Sequence, residues 1–274
     1  MAEAAASRRA IRATARRRRS QRGAAIAALS TVVVIGGLIA IVVTSPGWET
    51  VRQTFFSWPD FKRAFPDVLS AFWLDVKLFC VVEVVVLALG LTIALSRVSR
   101  APALFPLRLL AVLYTDLLRG VPTILLVFLV GFGVPALDLS GVPDDPVILG
   151  GAALALSYSA YVAEVYRAGI RSVHPSQRAA ALALGLTETQ ALRHVILPQA
   201  VRRVIPPLLN DFVALQKDVA LVSILGPLEA FRVAQIEASA NFNYTPLLAA
   251  ALLYLCVTIP MARIVDVVQK RGRG

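Results

Sequence analysis

The apolar residues of this chain are gathered into six long blocks, and that clustering constrains the fold more than any single motif. The blocks run from Ala24 to Thr44, Val68 to Leu95, Leu107 to Leu137, Val147 to Tyr166, Val204 to Ile236 and Leu247 to Val268. A helix needs about 20 apolar residues to cross the hydrocarbon layer of a bilayer, so every block is long enough to span one. The sequence therefore predicts an all-α, polytopic transmembrane helical bundle of about six spans, several of them long enough to tilt or break. Composition agrees: 57% of the 274 residues are hydrophobic, 16% are charged and the mean hydropathy is +0.71, which excludes an ordinary soluble enzyme. Cys80 and Cys256 lie far apart inside such blocks, so neither a disulfide framework nor a cysteine-ligated metal site is expected.

The first block follows a tail with eight arginines, Arg8 to Arg22, against one acid, Glu3. A secretory signal has an apolar core of about 7 to 15 residues and a small-residue cleavage site. This block is longer and leads through Pro46 and Trp48 into polar sequence, so a retained span is expected. Positive charge is kept on the cytoplasmic side of span ends. The tail, the Arg97/Arg100 loop, the segment from Arg167 to Arg203 and the end with Lys270, Arg271 and Arg273 are basic, whereas the loop holding Asp138, Asp144 and Asp145 is not. Six spans with both termini inside put every strongly basic segment on one face, which places the chain in the cytoplasmic (inner) membrane. A net charge of +11 also suits a polyanion, but the tail has no aromatic residue on which bases would stack. Contact with anionic membrane lipid is the reading adopted, with no nucleic acid, and the tail is expected to be disordered.

Between the fourth and fifth blocks the sequence reads as a helix, a glycine turn and a second helix. Pro175 suits a first helical position, Gln177 to Leu184 favours helix, and Gly185 supplies the left-handed residue that ends it. Thr187 with Gln190 forms a capping box, Ala191, Leu192, Val195 and Ile196 give an apolar face, and Pro198 is expected to stop the second helix. An interfacial amphipathic pair and a DNA-binding helix-turn-helix share these features. The second would make the chain a membrane-anchored regulator, but a hairpin tied to spans at both ends could hardly reach a major groove.

Ala179, Ala180, Ala181, Gly185, Val195, Leu197 and Pro198 resemble the cytoplasmic EAA loop of ABC importer permeases, a pattern of Glu-Ala-Ala, three residues, Gly, nine residues, Ile, one residue and Leu-Pro. Arg119-Gly120-Val121-Pro122, Ala160-Tyr161 with Glu164 and Arg167, Gly169-Ile170, Pro206-Pro207 with Asn210, and Lys217-Asp218 followed by Leu221-Val222-Ser223 are similar to the polar amino-acid (His/Glu/Gln/Arg-type) branch of that family. The likeness runs from Ser70 to the end and implies a type I core of about five helices plus one extra N-terminal span. Two positions depart from the pattern: Ala179 stands for the motif's Glu and Val195 for its Ile. The first removes any ionic contact made from that position.

Taken with the resemblance, residues 1–23 are expected to be a basic cytoplasmic tail, 24–45 an additional transmembrane helix and 46–67 an extracytoplasmic segment. Residues 68–268 would form the permease domain, with a coupling hairpin at 168–203, and 269–274 a basic cytoplasmic end. The resemblance implies a permease subunit that moves a polar amino acid by alternating access. Its implied partners are a cytoplasmic ATP-binding subunit, a second permease subunit (identical or a sister chain) and an extracytoplasmic solute-binding protein. Pro175, Ala179, Ala180, Ala181, Gly185, Val195, Leu197 and Pro198 would couple it to the ATPase. No lysine follows a glycine, so no P-loop is present, and the only histidines, His174 and His194, both lie in the hairpin. No catalytic or metal site and no cofactor is expected on this chain, with ATP and Mg on the partner.

Charges within spans usually line a polar pathway or pair with one another. Asp75, Lys77, Glu83 and Asp116 qualify, with Asp75 and Lys77 pointing apart and Asp116 spaced to pair with Arg119. The candidates for a substrate pathway are Arg119, Glu164, Asn210, Asp211, Gln216, Lys217, Asp218 and Ser223. The fifth block holds most of them, opens at Pro206-Pro207 and should be interrupted at Gly226-Pro227. A buried Lys217–Asp pair is an equal reading of those charges. An ion-coupled secondary transporter of small polar solutes is the alternative function, but the sequence shows no internal repeat of the kind such carriers carry.

Overall fold

A computed structural model describes residues 23–24, 26–99 and 101–271 of the chain, with the side chains of 270 and 271 left aside. The arginine-rich tail and the last residues of the basic C-terminus, on which expectations were placed above, lie outside these. Two compact units divide at Phe56. In the first, α1 (Ile26–Val43) has 18 residues, enough for about 27 Å of helix, and every one of them is exposed. The short α2 (Trp48–Phe55) follows it.

The second unit begins with α3 (Trp58–Val98), a helix of 41 residues that starts ten positions before the apolar block. Local chemistry explains the early start. Pro59 suits the first turn, the Ser57 hydroxyl lies 2.5 Å from Asp60 Oδ2, and Asp60 sits where a helix N-terminus favours negative charge. Next come α4 (Phe105–Gly120) and α5 (Thr123–Ala136), which the sequence reads as one block. They are bent by 107° at Val121-Pro122, because Pro122 has no N–H to offer and forces Val121 into an extended conformation.

The centre of the unit is α6 (Pro146–Ser172), entered through Asp145, whose Oδ1 accepts the N–H groups of Val147 and Ile148 at 2.8 and 3.0 Å. Two-thirds of its most apolar stretch is buried. Small residues make that burial possible, since Gly, Ala and Ser let backbones approach closely where lipid gives no hydrophobic driving force. A Cβ added at Gly169 would lie 1.9 Å from Val204 Cγ2, so α6 and the helix carrying Val204 touch nearly backbone to side chain. Around α6, Val86, Val127, Leu154, Val162, Leu215 and Val222 form the largest core cluster.

After α7 (Pro175–Ala183) and α8 (Glu188–Ala191), a π-helical turn at Leu192–Ile196 leads into α9 (Leu197–Asp218). The chain thus stays helical through Pro198, which the sequence analysis reads as a stop. Proline is tolerated in a first turn, and the wide turn before it accommodates the lost backbone hydrogen bond. Pro206 and Pro207 likewise lie inside α9 rather than opening it. A 3-10 stretch, Val219–Leu225, then ends at Gly226 with φ of +110°, and α10 (Ala230–Asn241) leaves with a bend of 53°. The expected interruption at Gly226-Pro227 is therefore present. The final helix is α11 (Thr245–Arg271). Among the described residues, four helices are long and apolar enough to span alone, and up to six spans result when each bent pair counts as one.

Candidate functional site

Two places gather the residues singled out from the sequence. The first is the hairpin of α7 and α8. Pro175 is the first residue of α7, and the His174 side chain accepts from the Ser176 N–H at 3.2 Å. Gly185, at φ +85°, closes α7 with a Schellman pair: its N–H donates to the Leu182 carbonyl at 3.0 Å, and the Leu186 N–H donates to that of Ala181 at 3.2 Å. The capping box of Thr187 and Gln190 then starts α8 in both directions. Arg178 spans the two helices and donates from Nε to Glu188 Oε2 at 2.9 Å. That pair is about half exposed, so it contributes orientation more than stability. Ala179 and Ala180 face outward, Ala181 is buried, Val195 is half-buried, and Leu197 and Pro198 are exposed. At the turn, Leu184 is 83% exposed.

The second place is a cleft of about 480 Å³ where α6 and α9 meet the end of α4. Arg119, Tyr161, Glu164, Arg203 and Asp211 line it. Glu164 is held by two arginines: Arg97 of α3, which also donates to Thr115 Oγ1 at 2.7 Å, and Arg167 one turn on. Arg203 of α9 donates to the Ser172 carbonyl and, at 3.1 Å, to the Ser172 hydroxyl, closing the end of α6. Two charges in the cleft lack such partners. Arg119 does not pair with Asp116; its guanidinium lies over the Tyr161 ring, 5.5 Å from the centroid. Asp211 Oδ2 is buried with no hydrogen-bond partner among the described residues.

The five remaining candidates lie outside the lining of this cleft. Gln216 accepts from Thr258 of α11 at 2.8 Å, Asp218 accepts from the Tyr158 hydroxyl at 2.8 Å, and the Ser223 hydroxyl turns back to the Ala220 carbonyl at 2.6 Å. These are ties between helices or within a turn. Lys217 is exposed and forms no ion pair among the described residues, so the buried Lys217–Asp pair is not made. Asn210 is exposed on α9 beside Asp211.

Sequence reasoning missed Tyr161, Arg97 and Arg203, whose partners sit on other helices. It also missed a buried knot at the break before α10. There Glu229 accepts the N–H groups of Phe231 and Arg232 at 2.7 and 2.6 Å, while Asp75 accepts that of Ala230 at 3.2 Å. The Tyr254 hydroxyl reaches both carboxyl groups, at 3.2 and 3.3 Å. Pro227 two residues before an acid in an N-cap position was the available signal.

Broken spans around a polar cleft, with a capped hairpin joined to them, define a multi-pass membrane transport component. Residues 101–274 match the family model described as binding-protein-dependent transport system inner membrane component. The chain belongs to that family. It is 35% identical over 218 residues to the probable amino-acid permease protein YxeN of Bacillus subtilis (strain 168), covering 78% of this chain and 94% of that one. The arginine transport system permease protein ArtQ of the same organism is 31% identical over 207 residues, covering 75% and 92%. Among solved structures, an amino acid ABC transporter crystallised with histidines aligns with a TM-score of 0.71 at 31% identity, over 78% of this chain and 98% of that one. The MetNI methionine ABC transporter in an inward-facing conformation shares the fold, with a TM-score of 0.56 at 18% identity. The chain is thus an ABC importer permease of type I fold in the inner membrane, and the ion-coupled carrier is not favoured.

Proposed function

We propose that this permease carries a polar amino acid, taking it from an extracytoplasmic solute-binding protein and passing it inward by alternating access. ATP and Mg belong to a separate cytoplasmic ATPase subunit, which docks on the α7–α8 hairpin through Pro175, Ala179, Ala180, Ala181, Gly185, Val195, Leu197 and Pro198. The relatives named above are amino-acid permeases, and the basic segments favour both termini inside. A second permease subunit completes the pathway, and this chain itself catalyses no reaction.

One observation carries the cargo reading. The cleft offers a carboxylate with a buried, unpartnered oxygen, Asp211, and a guanidinium that makes neither an ion pair nor a hydrogen bond among the described residues, Arg119, which is the complement of a zwitterion's ammonium and carboxylate. Glu164, neutralised by two arginines, shapes the wall and does not compete for the ammonium. Of the eight pathway candidates, Arg119, Glu164 and Asp211 line that cleft, whereas Gln216 and Asp218 tie α9 to α11 and α6, and Ser223 bonds within its own turn.

Asp211→Asn removes the charge and keeps the shape. Proteoliposomes with the variant are expected to take up amino acid at least tenfold more slowly at limiting concentration, while ATPase association is unchanged. Equal uptake by the variant and the parent would remove Asp211 from the pathway.

A further inference from the structure

A groove of about 530 Å³ runs between α3 and α6, apart from the polar cleft. Its wall includes Leu74, Val81, Val85, Ile148 and Ala152, and among the described residues Lys77 is the one charged residue lining it. Lys77 is exposed and has no ion pair among the described residues. Asp75, two positions earlier, points the opposite way into the knot with Glu229 and Tyr254.

The height of Lys77 follows from helix register. Twenty residues separate it from Arg97 on the same helix, a rise of about 30 Å, close to the thickness of the hydrocarbon layer. Helix α6 runs parallel to α3 over the same stretch: Glu164 meets Arg97 at one end, and Ile148, in the first turn after the Asp145 cap, shares the groove with Lys77 at the other. Lys77 therefore lies at the membrane boundary opposite Arg97. One turn to either side on its face stand Trp73, 61% exposed, and Val81, 64% exposed. An aromatic ring beside a cation marks the headgroup level, and the valines mark the apolar layer beneath it.

We propose that this groove is a binding site for an anionic phospholipid of the leaflet opposite the Arg97 end. An acyl chain lies along Val81, Val85 and Ala152, and Lys77 holds the phosphate. The apolar wall faces a region where the solvent is hydrocarbon, and the lone cation at its mouth is complementary to an anionic headgroup.

The test uses the full chain, with the subunits that copurify, in nanodiscs of phosphatidylcholine containing a minority of phosphatidylglycerol, followed by native mass spectrometry of retained lipid. The expected result is enrichment of phosphatidylglycerol that falls about fivefold in Lys77→Gln and is unchanged in Lys62→Gln, whose lysine stacks on Trp58. Ala152→Leu, which narrows the groove from its exposed side, is expected to reduce retention of both lipids. Equal enrichment in Lys77→Gln and the parent would overturn the proposal. So would photocrosslinking from position 81 to a second permease subunit instead of lipid, since a copy of the chain would then cover the groove.

Discussion

Glu164→Ala is expected to destabilise the detergent-solubilised chain by about 3 kcal/mol, read as a shift in the unfolding midpoint. Removing one partner of a largely buried ion pair leaves the other charge uncompensated, which costs about 3–5 kcal/mol. Here two arginines lose their partner at once: Arg97 is 12% exposed and Arg167 24%, so the lower end of that range applies. The loss has a structural target, because Arg97 with Glu164 joins α3 to α6 at one membrane boundary and Thr115 adds α4 to the same knot. Taking out the charge on both sides separates this account from simple loss of packing. The double variant Arg97→Met, Glu164→Leu is expected to be more stable than Glu164→Ala. A shift within about 0.5 kcal/mol for Glu164→Ala would mean that the triad is only a surface arrangement.

Gly185→Pro is expected to abolish copurification of the ATP-binding subunit, at least tenfold in recovered complex, while the spans stay folded. A proline ring fixes φ near −65°, and Gly185 needs +85°. Proline also removes the N–H that reaches the Leu182 carbonyl, so the Schellman closure fails and α8 leaves α7 at a different angle. Leu184→Asp gives an independent check, since Leu184 is 83% exposed and its replacement leaves the hairpin's own hydrogen bonds in place. Loss of the ATPase in both variants is the expected pattern. Unchanged recovery in both would place the docking surface elsewhere on the chain. The departure at Ala179 gains a physical setting here: the carboxylate of this hairpin is Glu188, already engaged by Arg178.

Local signals in the sequence were read well, and long-range ones poorly. The hairpin depended on Pro175, Gly185, Thr187 and Gln190, each acting within a few residues, and all four take their expected places. The break at Gly226 was legible for the same reason, because the glycine before a proline carries its own conformational requirement. Apolar length alone could not reveal the 107° bend between α4 and α5, nor the helical start of α3 at Trp58 within a polar stretch. Pro198 misled because its effect depends on the turn before it: a π-helical stretch absorbs the missing hydrogen bond. The cleft was half visible. Arg119, Glu164 and Asp211 stood out as charges inside spans, but the double hold on Glu164 and the stacking of Arg119 on Tyr161 need helices brought together from distant sequence.

Uptake of a labelled polar amino acid into proteoliposomes tests the central claim most directly, with the chain reconstituted beside its ATPase and solute-binding protein. The account predicts uptake that requires ATP and the binding protein and is indifferent to imposed proton or sodium gradients. Uptake driven by either gradient without ATP would contradict it.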